Sequence, residues 1–325
     1  MRIVFMALLA CLALATAGCA SQNRTSLAPY TIVPGHIDLS RGPDGNSVVL
    51  DAPEGLIVVD SGRHLEHVQA ILDFAHVAGR PIVAIVNTHW HLDHTTGNRD
   101  IRLEFPHAEV ISTNAGKGAL VGFLANGIAR TKAMIDDPAT TEVDRMAAIR
   151  RYAAVTDSGS FLPGQPVTNS GPRNIAGRMI EMHVSPAAVT EADLWLVLPN
   201  ERLAIVGDLV VAQSPFFDTG CENGWSAALD SIAKADWDFL VPGHGALMTR
   251  PDFARWREAF DGFLDCARSD APAAACSERW LESARGFYTE AEADSVRRLG
   301  EYYVLDVLRA PTEKRMPYCR VNGGD

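Results

Sequence analysis

Basic residues are in short supply in this chain. Lysine and arginine number 29 against 40 aspartates and glutamates, a net charge of −11 over 325 residues, and the bases never gather into a run. Such a chain carries no polyanion-binding footprint, so nucleic acid is not an expected partner. Long apolar stretches are missing too. The one that stands out, Ile3–Ala15, falls short of the ~20 residues that cross a bilayer as a helix. No internal repeat at a fixed short period is present, which excludes an array of small units. Cysteine is sparse, with six in all. What remains is ordinary for a globular protein: 47% hydrophobic and 21% charged residues, with ample chain to bury a core in one large domain or two.

The N-terminus reads as an export signal. Arg2 precedes the apolar run, which ends in Thr16-Ala-Gly-Cys19, small residues before a cleavage point. Small residues followed by a cysteine resemble a bacterial lipobox, with Thr16 where an aliphatic residue is more usual, so Cys19 is the expected lipid anchor. Ala20 is not the aspartate that retains lipoproteins in the inner membrane. A periplasmic protein tied to the outer membrane is therefore expected, and cleavage nearby without lipidation, for instance after Ala17, would give a soluble periplasmic one. Residues 1–18 read as the signal peptide and 19–29 as a polar tether. An oxidising compartment suggests two disulfides among the four remaining cysteines, with three connectivities open. Cys266 and Cys276 flank a short loop between helical stretches and are the easiest pair, which leaves Cys221 with Cys319. The loop-like surroundings of Cys221 also suit a thiolate metal ligand.

Chemistry concentrates in Asn87-Thr-His-Trp-His-Leu-Asp-His94. The stretch follows Pro81–Val86, an apolar, β-branched run that reads as a buried strand. A loop leaving a rigid strand can aim several side chains at one point, and imidazole and carboxylate are donors that zinc prefers. A solvated turn would not need three histidines and an aspartate in six positions. Two further ligand-type residues stand just beyond apolar runs: Asp208 after Leu203–Val206, and His244 between Gly243 and Gly245 after Phe239–Val241. Around them the pattern alternates. Strands are expected at 47–50, 55–59, 109–111, 179–184 and 194–198, with helices at 64–78 and 225–235. A helical insertion is expected over about 114–166, its end a loop region from 157 to 172, and helix throughout from 250 to 308. His64, His67 and His76 fall on or beside the first helix and read as surface or flanking residues.

Thr88-His-Trp-His-Leu-Asp-His94, Gly207-Asp208 and Pro242-Gly-His-Gly245 occur in that order on strand ends, and together they resemble the metallo-β-lactamase fold superfamily. Val58-Val-Asp-Ser-Gly62 and the segment 185–193 match it too, so the resemblance runs from about Tyr30 to Met248. It implies an α/β protein, a four-layer αβ/βα sandwich over residues 30–248 with the helical insertion, to which residues 249–325 add a helical extension packed on it. It also implies a metal centre: His89 and His91 in a first site, Asp93, His94 and His244 in a second, and Asp208 bridging both. One ligand departs from the pattern. The first site normally has a third histidine before the threonine of 190–193, and Val189 stands there. His183, six residues earlier, is the candidate substitute.

With the export signal, the resemblance therefore leads to the expectation of an exported protein that is a zinc-dependent hydrolase holding one or two ions, with the second site (Asp93, His94, Asp208, His244) favoured. Its small-molecule substrate would be an ester, thioester, lactone, β-lactam or phosphodiester, and Asp93 would orient the attacking water and shuttle its proton. The alternative is a degenerate member that binds metal or a partner at the membrane surface without efficient catalysis.

Overall fold

Alternation along the strands gives each sheet two faces to cover, and four layers result. This computed structural model describes residues 27–35, 37–38, 42–311 and 319. The expected signal peptide, the Cys19 anchor and most of the tether lie outside the described residues. Strands β1 (Tyr30–Val33), the short pair β2 (Ile37–Asp38) and β3 (Gly42–Pro43), β4 (Ser47–Ala52) and β5 (Gly55–Val59) lead to helix α1 (Leu65–Ala78) and strand β6 (Ile82–Val86). The β5–β6 pair is parallel, which requires the crossover that α1 provides. Helix α1 ends at Gly79, whose left-handed φ of 61° caps the last carbonyls. Helices α2 (Leu92–Thr95) and α3 (Asn98–Glu104) follow, then β7 (Glu109–Ile111), closing a sheet of order β1-β4-β5-β6-β7.

The insertion is four helices: α4 (Ala115–Val121), α5 (Phe123–Asp136), α6 (Glu142–Thr156) and α7 (Ser158–Phe161). Strands β8 (Gly171–Ile175), β9 (Arg178–Pro186), β10 (Ala192–Leu198) and β11 (Leu203–Ile205), helix α8 (Glu222–Lys234), and strands β12 (Phe239–Val241) and β13 (Met248–Thr249) build the second sheet and its cover, in the order β13-β12-β11-β10-β9-β8. Three helices follow: α9 (Arg250–Arg268), α10 (Ala273–Ser283) and α11 (Ala293–Tyr302), which runs on into a π-type stretch, Tyr303–Leu308.

Val48, Leu50, Ile57 and Val59 of the first sheet meet Ile180, Leu194, Leu196 and Ile205 of the second in one buried cluster. The residues between them point away. Val49, Leu56 and Val58 pack on Val68 and Ile71 of α1, while Trp195 and Val197 pack on Trp225, Trp256 and Phe260 of α8 and α9. Helix, sheet, sheet, helix is the sandwich expected, with the C-terminal helices sharing the outer cluster of the second sheet. Truncating a large buried aromatic such as Trp256 to alanine should cost roughly 3–5 kcal/mol, lost packing and the cavity left behind together.

Three features differ from the sequence pattern. The helix expected throughout 250–308 is broken at 269–272, where Pro272 starts the next helix, and at 284–292, where Gly286 has a φ of 92°. Expected as loop, residues 157–172 hold α7 and the first residues of β8; that strand is an edge strand carrying Pro172, with a weak apolar signal. His67, expected at the surface, is buried with its Nε2 2.7 Å from the Ser47 hydroxyl. Disulfides join Cys266 to Cys276 and Cys221 to Cys319. That sets aside a thiolate-ligand role for Cys221. Among the described residues no helix is long and apolar enough to cross a membrane.

Candidate metal centre

Strand ends at one edge of the two sheets deliver all six expected ligands. His89, His91, Asp93 and His94 lie on the loop after β6 and the short helix α2, Asp208 on a single 3-10 turn after β11, and His244 just past β12. All are buried, none exposing more than 7%. They form two groups, His89 with His91 and Asp208, and Asp93 with His94 and His244; within each, the ligand atoms lie within 4.8 Å of one another. Asp208 faces both. Its Oδ2 is 3.6 Å from His89 Nε2 and 3.9 Å from His91 Nδ1, and its Oδ1 is 3.1 Å from His94 Nε2 and 3.4 Å from His244 Nε2. Asp93 Oδ2 is 3.2 Å from His244 Nε2.

This arrangement suits a cation. His89 Nε2 and Asp208 Oδ1 are buried without a hydrogen-bond partner, and His94 Nε2 faces His244 Nε2 at 3.4 Å. Ligand atoms turned towards one another in a dry site are costly unless something positive lies among them. Left to themselves the groups share protons instead. Burial alone would raise Asp93, but His244, His94 and Arg63 hold its carboxyl far below the ordinary range. Burial would lower His94, yet the Asp208 and Asp60 carboxylates raise it well above its ordinary value. His91 is pushed down by burial and then by His89.

Neighbouring hydrogen bonds settle which nitrogen three of the four histidines offer. Asp60 accepts the Thr88 N–H at 2.8 Å, the Thr88 hydroxyl at 2.7 Å and His94 Nδ1–H at 2.8 Å. Because Thr88 donates to Asp60, its oxygen accepts from His89 Nδ1 at 3.0 Å. Thr219 likewise donates to the Val189 carbonyl at 2.8 Å and accepts from His91 Nε2 at 2.9 Å. His89 and His94 are thus left presenting Nε2, and His91 Nδ1, towards Asp208. Glycine is required where these pieces close: a Cβ on Gly243 would run into Asp208 Oδ1, and Gly207 combines a φ of 52° with a close approach to Thr88.

His183 does not join the ligands. Paired with Trp195 across β9 and β10, it lies on the helix-facing side of the second sheet and stacks on that indole at 3.8 Å. The two-residue period of the strand turns it away, so the suggested substitution for a missing histidine is not what the structure places there. Val189 is buried in the outer apolar cluster. Its main chain still serves the site, since its N–H donates to Asp193 at 3.0 Å and its carbonyl holds Thr219.

Asp193 gives a pH test of that turn. Burial pushes its carboxyl up to about 7, against the N–H and hydroxyl of Thr190 and then the N–H of Val189, which favour the anion. The unfolded value is near about 4, so between these values the folded chain holds a proton that the unfolded chain has lost. Its stabilising contribution is full below about pH 4 and is lost as pH rises to 7, a change on the order of 4 kcal/mol. Urea midpoints measured between pH 4 and 8 should fall with pH, and Asp193→Asn should flatten that fall. An equal slope in both proteins would show that Asp193 is ionised throughout.

A cavity of about 530 Å³ opens over His91, Asp93, Asp208 and His244. Its walls are mostly apolar: Trp90, Leu92, Phe123, Leu124 and Phe216, with Val296, Leu299 and Tyr303 from the C-terminal helices. Phe216 packs edge-on against His91 at 5.2 Å, and the Trp90 indole donates to Glu191 at 2.9 Å. Asp60, Thr88 and Thr219 escape sequence reasoning as supports, although Asp60 lies in the Val58–Gly62 segment that carries part of the resemblance.

Comparison with known proteins agrees with this geometry. Residues 41–244 match a family model described as the metallo-beta-lactamase superfamily. A linear primary-alkylsulfatase of Pseudomonas sp. (strain ATCC 19151) is 28% identical over 222 residues, 61% of this chain and 40% of that protein. An (R)-specific secondary-alkylsulfatase of Pseudomonas sp. is 33% identical over 247 residues, 70% of this chain and 32% of that one. The chain thus spans less than half the length of these curated relatives. A metallo-beta-lactamase family protein from Thermus thermophilus shares the fold, with a TM-score of 0.55 at 17% identity, covering 85% of this chain and 93% of its own.

Proposed function

The chain belongs to the metallo-beta-lactamase superfamily, and on that premise we propose that it is a metal-dependent hydrolase of a small molecule bearing an apolar group. The observation that carries this reading is Asp208, one carboxylate facing two ligand groups at the floor of an apolar cavity. Zinc is the metal we infer, from imidazole nitrogen and carboxylate oxygen donors. Asp93, His94, His244 and Asp208 would hold one ion with four protein ligands, and His89, His91 and Asp208 a second with three. Bound zinc supplies Lewis acidity and brings the pKa of water down towards about 7.

The remaining work falls to the chain's own residues. Asp93 lines the cavity as an anion, with Arg63 Nη2 3.6 Å from its Oδ1. From there it orients an incoming water through one oxygen and takes up the proton that the water loses. Hydrolysis returns that proton to the leaving group as the O–H adds to the attacked centre. Trp90, Phe123, Leu124 and Phe216 keep other water from the substrate and seat its apolar part. The bond cleaved would be an ester, thioester, lactone, β-lactam or phosphodiester, and a sulfate ester joins these because the relatives are named alkylsulfatases. Export and anchoring through Cys19 belong to the same proposal.

Val189, where the family pattern has a third histidine, favours a second reading: a degenerate member that binds metal or a partner at the membrane surface without efficient turnover. Zinc per chain and a substrate panel separate the two. The hydrolase reading expects about one to two ions per chain and turnover of at least one of an alkyl sulfate, a thioester, a lactone, a β-lactam and bis-p-nitrophenyl phosphate. Less than about half an ion per chain with no turnover on any of them would overturn it.

A further inference from the structure

Beside the metal centre the helical insertion encloses a second cavity, of about 440 Å³. It shares Arg63, Leu92 and Leu124 with the larger one. Arg130 of α5 and Arg151 of α6 complete a set of three guanidinium groups on its wall, and no carboxylate lines it among the described residues. In a chain with 40 acidic against 29 basic residues that is an uneven distribution. Several arginines elsewhere find acids, as Arg80 does with Asp51, Arg150 with Asp100 and Arg202 with Asp236 and Asp238, while others, such as Arg102 and Arg250, are held by backbone carbonyls. Arg130 and Arg151 have no ion pair or side-chain hydrogen bond among the described residues.

Arg63 is the hinge between the cavities. Its backbone N–H and that of His64 both donate to Asp44, at 2.6 and 2.8 Å, which fixes the loop after β5. The Arg63 Nε is buried without a partner, and among the described residues its one ion pair is the 3.6 Å contact with Asp93. Partial burial, and after it the charge of Arg63, press the Arg151 guanidinium below its ordinary range. The Arg63 charge thus reaches Arg151, and with the solvent-exposed Arg130 on the same wall the three cations give this cavity a positive potential. Their planar forks match the oxygens of a sulfate, phosphate or carboxylate.

We propose that Arg63, Arg130 and Arg151 form an anion-binding subsite that holds a charged oxyacid group of the substrate while its apolar part lies in the larger cavity, making the substrate an anionic amphiphile. This rests on the hydrolase reading for the word substrate, but the test reads binding alone. Octyl sulfate and the neutral octyl glucoside are titrated into the purified protein by calorimetry, with and without inorganic sulfate. Octyl sulfate should bind at least about tenfold more tightly, and inorganic sulfate should displace it without displacing the glucoside. Arg151→Met should weaken octyl sulfate about tenfold, leave octyl glucoside and metal per chain unchanged, and be partly restored by Arg151→Lys. Equal affinity for both amphiphiles, or unaltered octyl sulfate binding in Arg151→Met, would overturn the subsite. Should the variant fail to fold, the sulfate competition on the unaltered protein decides. Absence of turnover would count against the hydrolase reading and leave these binding results standing.

Discussion

Asp208→Asn should empty both halves of the metal centre. Asp208 is the residue whose two oxygens face both ligand groups, one towards His89 and His91, the other towards His94 and His244. Asparagine keeps the volume that fits against Gly243 but removes the negative charge and turns a donor nitrogen towards imidazoles that already present lone pairs. Loss of an orienting neighbour typically weakens metal binding about 10- to 100-fold, and loss of a shared ligand should exceed that in both groups. Zinc per chain should therefore fall below detection after dialysis, with kcat/KM reduced on the order of 10³-fold or more. His89→Ala is the contrast. It touches the first group only, so zinc should remain with Asp93, His94 and His244. Retention of the full zinc content by Asp208→Asn would mean that the two groups do not depend on a common ligand, and the bridging role would be wrong.

Legibility of the site follows from where its information lies along the chain. Each ligand stands immediately after an apolar run, and a buried parallel strand is the kind of element that composition reveals. His89 to His94, Asp208 and His244 can therefore be found from local patterns. Helix α2 cannot, since four residues around two ligands carry no helical period. Edge strand β8, with Gly171, Pro172 and Arg173, carries too weak an apolar signal. The sheet face of His183 depends on its register against Trp195, so proximity in sequence to Val189 misleads. Thr219 lies 128 positions from His91, and only the fold brings its hydroxyl to that imidazole. Arg63, Arg130 and Arg151 come together in the same way, from one loop and two separate helices. The ligand atoms are readable along the chain; what aims them is not.

Asp60 shows how much that aiming is worth. It is buried, accepts three hydrogen bonds, and sits at a φ of 57°, a conformation costly to residues other than glycine, asparagine and aspartate. Asp60→Ala strands the Thr88 N–H, the Thr88 hydroxyl and His94 Nδ1–H in a dry interior, at about 1–3 kcal/mol each. The left-handed backbone adds roughly 1 kcal/mol more. The sum approaches the whole stability of an ordinary domain, about 5–15 kcal/mol, so this variant should be recovered mainly unfolded. Asp60→Asn separates folding from metal binding. Asparagine tolerates the same φ and still accepts through its oxygen, so the chain should fold. His94 then lacks the carboxylate that holds its Nδ1–H, and zinc affinity should drop about 10- to 100-fold in a chelator competition. A well-folded Asp60→Ala with unaltered zinc affinity would show that Thr88 and the strand ends alone hold the histidines in place.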